Sequence, residues 1–199
     1  GDLFLGVRVP VIRQQVKKFK KLKLKQSLEL LTNDYHEVRL FAVLKLVDLF
    51  EKGTEEEKKE VYTQYLKNTR WVNNWDLVDS SAHKIVGAYL YDKPRDILYR
   101  LSDSKLLWDK RIAMISCYYF IKRDDFNDTL KLSEIYLTES HDLMHKAAGW
   151  MLREMGKRNF ELEDQFLAKH YKKMPRTMLR YALEKFPKER KQAYMKGLV

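Results

Sequence analysis

Apolar residues recur at helical spacing along almost the whole of this 199-residue chain. Apolar side chains at positions i, i+3, i+4 and i+7 share one face of an α-helix, whereas a half-buried strand needs strict alternation. The pattern is rarely interrupted, because the sequence holds only seven Gly and four Pro. Since no convincing alternating segment is present, the chain is predicted to be all-α.

Turn signals divide this pattern into twelve amphipathic segments. The breaks fall at TND, EKGT, YDKP, KRDD and FPK, which combine the Gly, Pro, Asn and Asp residues typical of turns. The predicted helices span residues 10–21, 25–31, 35–51, 55–68, 74–91, 93–102, 106–122, 125–137, 141–156, 160–171, 174–186 and 188–196.

A repeat of about 35 residues arranges these helices in pairs. A basic residue stands early in several second helices, at Arg39, Arg111, Lys146 and Arg180. The gap between the first two leaves room for one more unit, near NNWDLVD. We therefore predict one domain over residues 1–199, an α-α superhelix (solenoid) of HEAT-like repeats. Its second helices are expected to line a curved, basic concave groove, with small residues such as Ala42, Ala148 and Gly149 letting helices approach closely.

The chain is strongly basic, with 39 Lys and Arg against 28 Asp and Glu, which gives a net charge of +11. Such a balance favours a polyanionic partner, with nucleic acid ahead of a membrane surface. Cations at a helix N-terminus oppose the helix dipole, so their recurrence suggests phosphate binding. Solvated helix starts are the simpler alternative. A basic run near the N-terminus, from Arg8 to Lys25, is interpreted as a solvated first helix.

Several classes of protein are disfavoured. The single Cys117 cannot form an internal disulfide and is expected to be a buried apolar residue in a reducing compartment. No apolar run reaches the length of a membrane span, and no secretory signal is visible. His141 and His145 lack a third metal ligand. We expect a cytoplasmic, nucleoid-associated monomer without metal or organic cofactor.

The segment RWVNNWDLVDSSAHKIVG, residues 70–87, crowds two Trp, two Asn and two Asp into ten positions. Asn73 is predicted to be the N-cap, with Asp76 at the third helical position. Trp75 and Asp79 are four residues apart and share a face, and capping accounts for neither. Asp79 could face the groove and act on a bound ligand. It could also form a salt bridge with Arg111 or Lys110, and the two roles are compatible.

The four tryptophans of the chain divide into two groups. Trp150 stands early in a later second helix, within HDLMHKAAGWMLRE. We place Trp75 and Trp150 in the groove, and assign Trp71 and Trp108 to core packing, the usual fate of aromatic residues at helical spacing.

Four blocks of the sequence resemble the AlkD-type HEAT-repeat DNA glycosylases. These blocks are FLGVRVP, NNWDLVD, WDKRIAMIS and KAAGWMLREMGKR, and the resemblance runs from Phe4 to about Pro187. It implies that Asp79 is the catalytic carboxylate, that Trp75 and Trp150 flank the sugar and backbone of the lesion, and that Arg111 completes the site. It also implies double-stranded DNA containing alkylated bases as the partner.

The resemblance has two departures. Members of the family often carry two adjacent Trp before the first Asp, whereas the first position here is Asn74. The helices usually found ahead of FLGVRVP are also expected to be missing or shortened. The contacts made by those parts are therefore not transferred to this chain.

A single carboxylate sets a limit on the chemistry. Sugar hydrolysis commonly uses two carboxylates, one of them as an acid. A purine alkylated at N3 or N7 is already cationic and leaves as a neutral base without an acid. One Asp can then stabilise the oxocarbenium-like sugar and position water, and Trp faces also favour a cation. The sequence therefore predicts hydrolysis of the N-glycosidic bond of cationic alkylpurines.

Further basic residues are predicted to contact DNA phosphates without reading base sequence. They are Arg39, Lys110, Lys146, Arg153, Lys157 and Arg180. Two alternatives remain open: a non-catalytic DNA-structure-binding HEAT protein, and a scaffold that binds an acidic protein surface.

Overall fold

A computed structural model describes residues 2–199, and all the regular elements within that range are helical. The helices are α1 (Val9–Lys18), α2 (Leu24–Leu31), α3 (His36–Lys52), α4 (Glu55–Lys67), α5 (Trp75–Ala82), α6 (Asp96–Ser102), α7 (Leu107–Ile121), α8 (Asn127–Ile135), α9 (Asp142–Gly156), α10 (Phe160–His170), α11 (Arg176–Ala182) and α12 (Lys188–Lys196). The all-α prediction is confirmed, and each predicted helix matches an observed one.

Short 3-10 or π-helical turns extend three of these helices. α5 continues through a π-helical turn at His83–Gly87 and a last α turn at Ala88–Leu90. Single 3-10 turns follow α8 at Tyr136–Thr138 and α11 at Leu183–Lys185. These extensions account for the longer ranges predicted from the sequence. In the described part of the chain, no helix is both long and apolar enough to span a membrane.

Cα packing divides the chain into two compact units, residues 1–94 and 95–199. In the first unit, α3 is the central helix and packs against α1, α2, α4 and α5. Apolar residues are buried on every side of α3, among them Leu40, Val43, Leu46 and Phe50. A helix that is apolar all round belongs in an interior, which explains why the others gather around it.

The N-terminal segment ahead of α1 is held by one carboxylate. The side chain of Glu37, in the first turn of α3, accepts hydrogen bonds from the backbone N–H groups of Leu5 (2.9 Å), Gly6 (2.8 Å) and Val7 (3.2 Å). Gly6 has φ of +75°, a conformation that residues with a Cβ rarely adopt. Three amide donors outweigh burial and hold the pKa of Glu37 below its usual range.

In the second unit, α9 is central and packs against α7, α8, α10 and α11. Ala147, Ala148 and Gly149 are buried along it. A methyl group placed on Gly149 would lie 2.4 Å from the carbonyl oxygen of Met178 in α11. The backbones of α9 and α11 therefore approach more closely than a Cβ allows, and small residues make this approach possible. The expectation for Ala148 and Gly149 is confirmed.

Cys117 is fully buried in α7. Its Sγ lies 3.7 Å from the carbonyl oxygen of Ala113, one turn earlier. Burial raises the pKa of the Cys117 thiol, so the residue behaves as the small apolar side chain that was predicted.

Glu163 in α10 is an acid held inside the second unit. Its side chain is only 2% exposed, and a methyl group on Gly156 would overlap its Oε2. Burial, assisted by the nearby carboxylates of Asp164 and Glu154 and opposed by Arg153, raises the pKa of Glu163 to about 9. The folded protein therefore keeps this carboxyl protonated at neutral pH.

Stability is expected to fall with rising pH because of Glu163. The unfolded chain releases this proton near pH 4.5, whereas the folded chain keeps it up to about pH 9, so the loss occurs between these two values. Its slope is at most about 1.4 kcal/mol per pH unit. Glu163→Gln removes this loss. Chemical denaturation from about pH 5 to about pH 8 should show the variant gaining on the wild type as pH rises.

Glu161→Gln is the matched control, because Glu161 is exposed in the same helix and its substitution should leave the pH profile as it is. Parallel stability profiles for wild type and Glu163→Gln would contradict the assignment of a buried, protonated carboxyl.

Candidate nucleic-acid site

The site predicted from the sequence begins at the start of α5. Asn74 is the N-cap: its Oδ1 accepts a hydrogen bond from the N–H of Trp75 at 2.8 Å. The predicted N-cap, Asn73, is therefore wrong by one residue, since two adjacent Asn offer the same capping chemistry. Asp76 falls at the second helical position, where its Oδ1 accepts from the N–H of Leu77 at 2.9 Å.

Polar contacts from elsewhere in the first unit hold this helix start. His36 Nε2 donates to Asp76 Oδ2 at 2.8 Å, and His36 Nδ1 lies 3.5 Å from Asp2 Oδ2. Asn74 Nδ2 donates to the same Asp2 oxygen at 3.3 Å, and Arg39 Nη2 lies 2.7 Å from Asp2 Oδ1. Burial works against ionisation, but Asn74 and Arg39 hold the pKa of Asp2 below its usual range.

Trp75 and Asp79 stand on the first two turns of α5. The Trp75 side chain is 54% exposed, and Asp79 is half-buried. A Trp with this exposure leaves a large aromatic face in solvent, where it can stack on a ligand. In contrast, Trp71 and Trp108 are half-buried, at the margin of the interior rather than within it.

The second helices of the repeat units differ in charge at one corresponding position near their N-termini. Asp79 is the fifth residue of α5, and the fifth residues of α7, α9 and α11 are Arg111, Lys146 and Arg180. Arg39 is the fourth residue of α3. The unit near residue 75 therefore carries a carboxylate at the position where other units carry a cation.

Two of these cations are not surface groups. Arg39 is 3% exposed, and its Nη1 donates to the carbonyl oxygens of Asn33 (2.8 Å) and Asp34 (3.0 Å). The predicted phosphate contact by Arg39 is corrected, because its guanidinium is buried among these groups and Asp2. Arg111 is 4% exposed, and its Nη1 donates to the carbonyl oxygen of Leu143 at 2.6 Å. Both guanidinium groups are therefore buried and fixed by backbone carbonyls rather than exposed along the groove.

Four other predicted DNA contacts are engaged in ion pairs on the second unit. Lys110 Nζ lies 2.6 Å from Glu139, and Lys146 Nζ lies 2.7 Å from Asp142. Arg153 pairs with Glu184, and Lys157 Nζ lies 2.6 Å from Glu154. Each pair leaves less net charge for a phosphate than the sequence indicated.

Arg180 differs from these four residues. It is exposed in the last turn of α11, and no ion pair to it is found in residues 2–199. Its charge is therefore available to an external anion. Exposed cations without ion pairs are also found in the N-terminal run, whose interpretation as a solvated face agrees with the structure: Arg8, Arg13, Lys17, Lys18, Lys20, Lys21, Lys23 and Lys25.

Trp150 in α9 is half-buried. Its indole Nε1 donates to Glu154 Oε1 at 3.1 Å, and its ring centroid lies 6.0 Å from that of Tyr118. The indole is thereby fixed by a polar and an aromatic neighbour, so its orientation is defined within the second unit. The structure places Trp75 and Asp79 in the first unit, and Arg111 and Trp150 in the second.

Sequence reasoning missed the polar network of Asp2, His36 and Asp76. His36 and Asp76 are 40 residues apart, and a pairing at that separation leaves no periodic signal. The crowding of polar residues in NNWD was the available hint, because it exceeds what one N-cap needs. Among the described residues, no group of three or more His, Cys, Asp or Glu could hold a metal ion.

Comparison with known proteins gives a family and a solved structure of similar fold. The family model for DNA alkylation repair enzymes matches residues 1–186. A solved structure described as a predicted DNA alkylation repair enzyme from Enterococcus faecalis is similar, with a TM-score of 0.75 and 17% sequence identity. The match covers 94% of this chain and 90% of that one. No curated protein matches.

Proposed function

This chain belongs to the family of DNA alkylation repair enzymes, and from that premise we propose that it hydrolyses the N-glycosidic bond of cationic N3- or N7-alkylated purines in double-stranded DNA. One observation carries the proposal. In α5, a half-buried carboxylate, Asp79, replaces the cation of the other repeat units and stands one turn from the exposed Trp75.

The proposed reaction breaks the bond between the sugar C1′ and the purine nitrogen. The bonding electrons leave with the base, which becomes neutral because alkylation had made it cationic. Water adds to C1′ and gives up one proton to solvent. Asp79 stabilises the positive charge that develops on the sugar and orients the water, while Trp75 offers an aromatic face to the same charge.

The family resemblance adds two further groups to the proposal. Trp150 would supply a second aromatic face and Arg111 a cation that completes the site. Their burial and hydrogen bonds support this in one respect: the Trp150 indole and the Arg111 guanidinium are both held in defined positions. A site of pre-oriented groups does not need to reorganise during the reaction.

The chemistry predicts a selectivity that tests the proposed function. With one carboxylate and no separate acid, the protein should release 7-methylguanine or 3-methyladenine from methylated duplex DNA but not uracil from a duplex of the same length. Uracil is neutral and leaves poorly without protonation. Released bases are measured by chromatography under single-turnover conditions.

Two outcomes would contradict the proposal. Equal release of uracil and 7-methylguanine would exclude the mechanism based on a cationic leaving group. Binding of duplex DNA without release of any base would favour the second candidate, a DNA-structure-binding protein, which the unpaired cations of residues 8–25 also suit.

Arg180 is proposed to contact a DNA phosphate. Arg180→Gln should lower the slope of log affinity against log salt concentration by about one unit. The measurement is fluorescence anisotropy of a labelled, undamaged duplex at several salt concentrations. Arg158→Gln is the matched control, because Arg158 Nε lies 2.5 Å from Asp124 and its charge is already compensated. Equal slopes for wild type and Arg180→Gln would contradict the contact.

A further inference from the structure

His36 is a buried group that the proposed reaction does not use. It is 5% exposed and is the first residue of α3. Its backbone N–H donates to the carbonyl oxygen of Leu3 at 2.8 Å, and the ring of Phe4 lies over it with centroids 5.2 Å apart. These contacts fix the imidazole at the start of the central helix of the first unit.

The imidazole reaches from α3 to the first turn of α5. Its Nε2 donates to Asp76 Oδ2 at 2.8 Å, and the other Asp76 oxygen accepts from the N–H of Leu77 at 2.9 Å. One carboxylate therefore ties the backbone of α5 to a side chain of α3. A charge-assisted hydrogen bond with little exposure is stronger than an exposed neutral one.

The hydrogen bond between His36 and Asp76 affects the proposed site because Asp76 lies between Trp75 and Asp79 in the sequence. Asp76 directly follows Trp75 and precedes Asp79 by three residues on the same helix. A bond that fixes the rotation and tilt of this first turn also fixes the directions of both side chains. Displacements of about 1 Å at a reacting centre can cost about 100-fold in rate, so a small movement of the turn matters.

We propose that His36 is a positioning residue, which acts through Asp76 to hold Trp75 and Asp79 in the orientation that base release requires. The inference rests on the proposed function for its kinetic consequence. Its geometric part, the orientation of the first turn of α5, can be measured without any activity.

The kinetic test compares His36→Leu with His36→Gln. Leu fills similar space without a donor, whereas the Gln amide can still donate to Asp76. We expect His36→Leu to lower the single-turnover rate of 7-methylguanine release by about tenfold, with the Kd for duplex DNA changed less than about twofold. His36→Gln should restore most of the rate, which a purely space-filling role would not explain.

The matched control is His170→Leu in the second unit. His170 also lies beside a carboxylate, with Nε2 3.0 Å from Glu134, but that carboxylate belongs to α8 rather than to α5. Its rate of release should equal that of the wild type. If His36→Leu does not fold, Asp76→Ala removes the same hydrogen bond from the other side and should give the same loss.

The activity-independent readout is fluorine NMR of protein labelled with 5-fluorotryptophan. Trp75→Phe identifies the resonance of Trp75. That resonance should shift or broaden in His36→Leu and return in His36→Gln, while those of Trp108 and Trp150 stay unchanged.

An unchanged Trp75 resonance together with an unchanged rate would overturn the positioning role. A wild-type protein that releases no base would overturn the proposed function instead. The Trp75 resonance would then still decide whether His36 orients the helix start.

Discussion

Replacing Asp79 by Asn is expected to slow release of 7-methylguanine from duplex DNA by about 100-fold or more. The substitution keeps the shape of the side chain and removes the negative charge that, in the proposed mechanism, stabilises the positive charge developing on the sugar. DNA affinity should be maintained or should rise slightly, because one negative charge is removed from a DNA-binding protein. The measurement is single-turnover base release, with Kd determined on the same duplex.

Asp96→Asn is the matched control for this experiment. Asp96 is exposed in the first turn of α6, so its substitution makes the same change of charge early in another helix. Its rate should equal that of the wild type. If Asp79→Asn also released 7-methylguanine at the wild-type rate, the carboxylate would have no catalytic role and another group would have to be sought.

Gly149→Ala is expected to lower the stability of the fold. The added methyl would lie 2.4 Å from the Met178 carbonyl oxygen and 2.6 Å from Tyr181 Cβ. Since Met178 O is a backbone atom, it cannot be displaced by a simple rotamer change, and α9 and α11 must separate. Overpacking of this kind costs about 1–3 kcal/mol, against the gain of about 1 kcal/mol that Ala normally brings over Gly in a helix.

Thermal unfolding measures this effect, with a lowering of Tm by roughly 2–4 °C for each kcal/mol in a chain of this size. Lys146→Ala serves as the control within the same helix, because Lys146 is only half-buried and its pair with Asp142 is near the surface. A Tm for Gly149→Ala equal to or above that of the wild type would contradict the close approach of the two helices.

The helices and their breaks could be predicted because they depend on local signals. Apolar periodicity marks the buried face of each helix, and turn residues mark its end. The N-cap of α5 shows how precisely such signals locate a helix start. Asn73 and Asn74 have the same capping chemistry, and the N-cap is the one whose backbone is extended, which is Asn74. A sequence pattern therefore locates a helix start to within about one or two residues.

The electrostatic part of the site depends on partners distant in sequence, and here prediction was less successful. Arg39 was predicted to face DNA, but Asp2, 37 positions earlier in the chain, pairs with it in the fold. Lys110 was predicted to contact a DNA phosphate, but Glu139 lies beside it. A charge pattern shows where cations occur along a helix, whereas their availability depends on which carboxylates the fold brings near.

The aromatic and acidic residues proposed for the site were selected from the sequence by a different argument. Trp75 and Asp79 were singled out because helix capping required neither of them, and Trp75 is indeed exposed. Residues that exceed the needs of local structure are therefore good candidates for function. His36 showed no such excess, since a lone His at the start of an apolar helix reads as an ordinary core or capping residue.

The single acidic residue at a repeated helical position also bears on how such a protein can diversify. The other units of the repeat carry a cation at the corresponding position. Under the proposed mechanism, a change in one codon at position 79 alters the chemistry of the protein, because the proposed catalytic carboxylate is a single side chain on a repeated helix. Copies of a duplicated helical pair can in this way share one architecture and differ in whether they are catalysts.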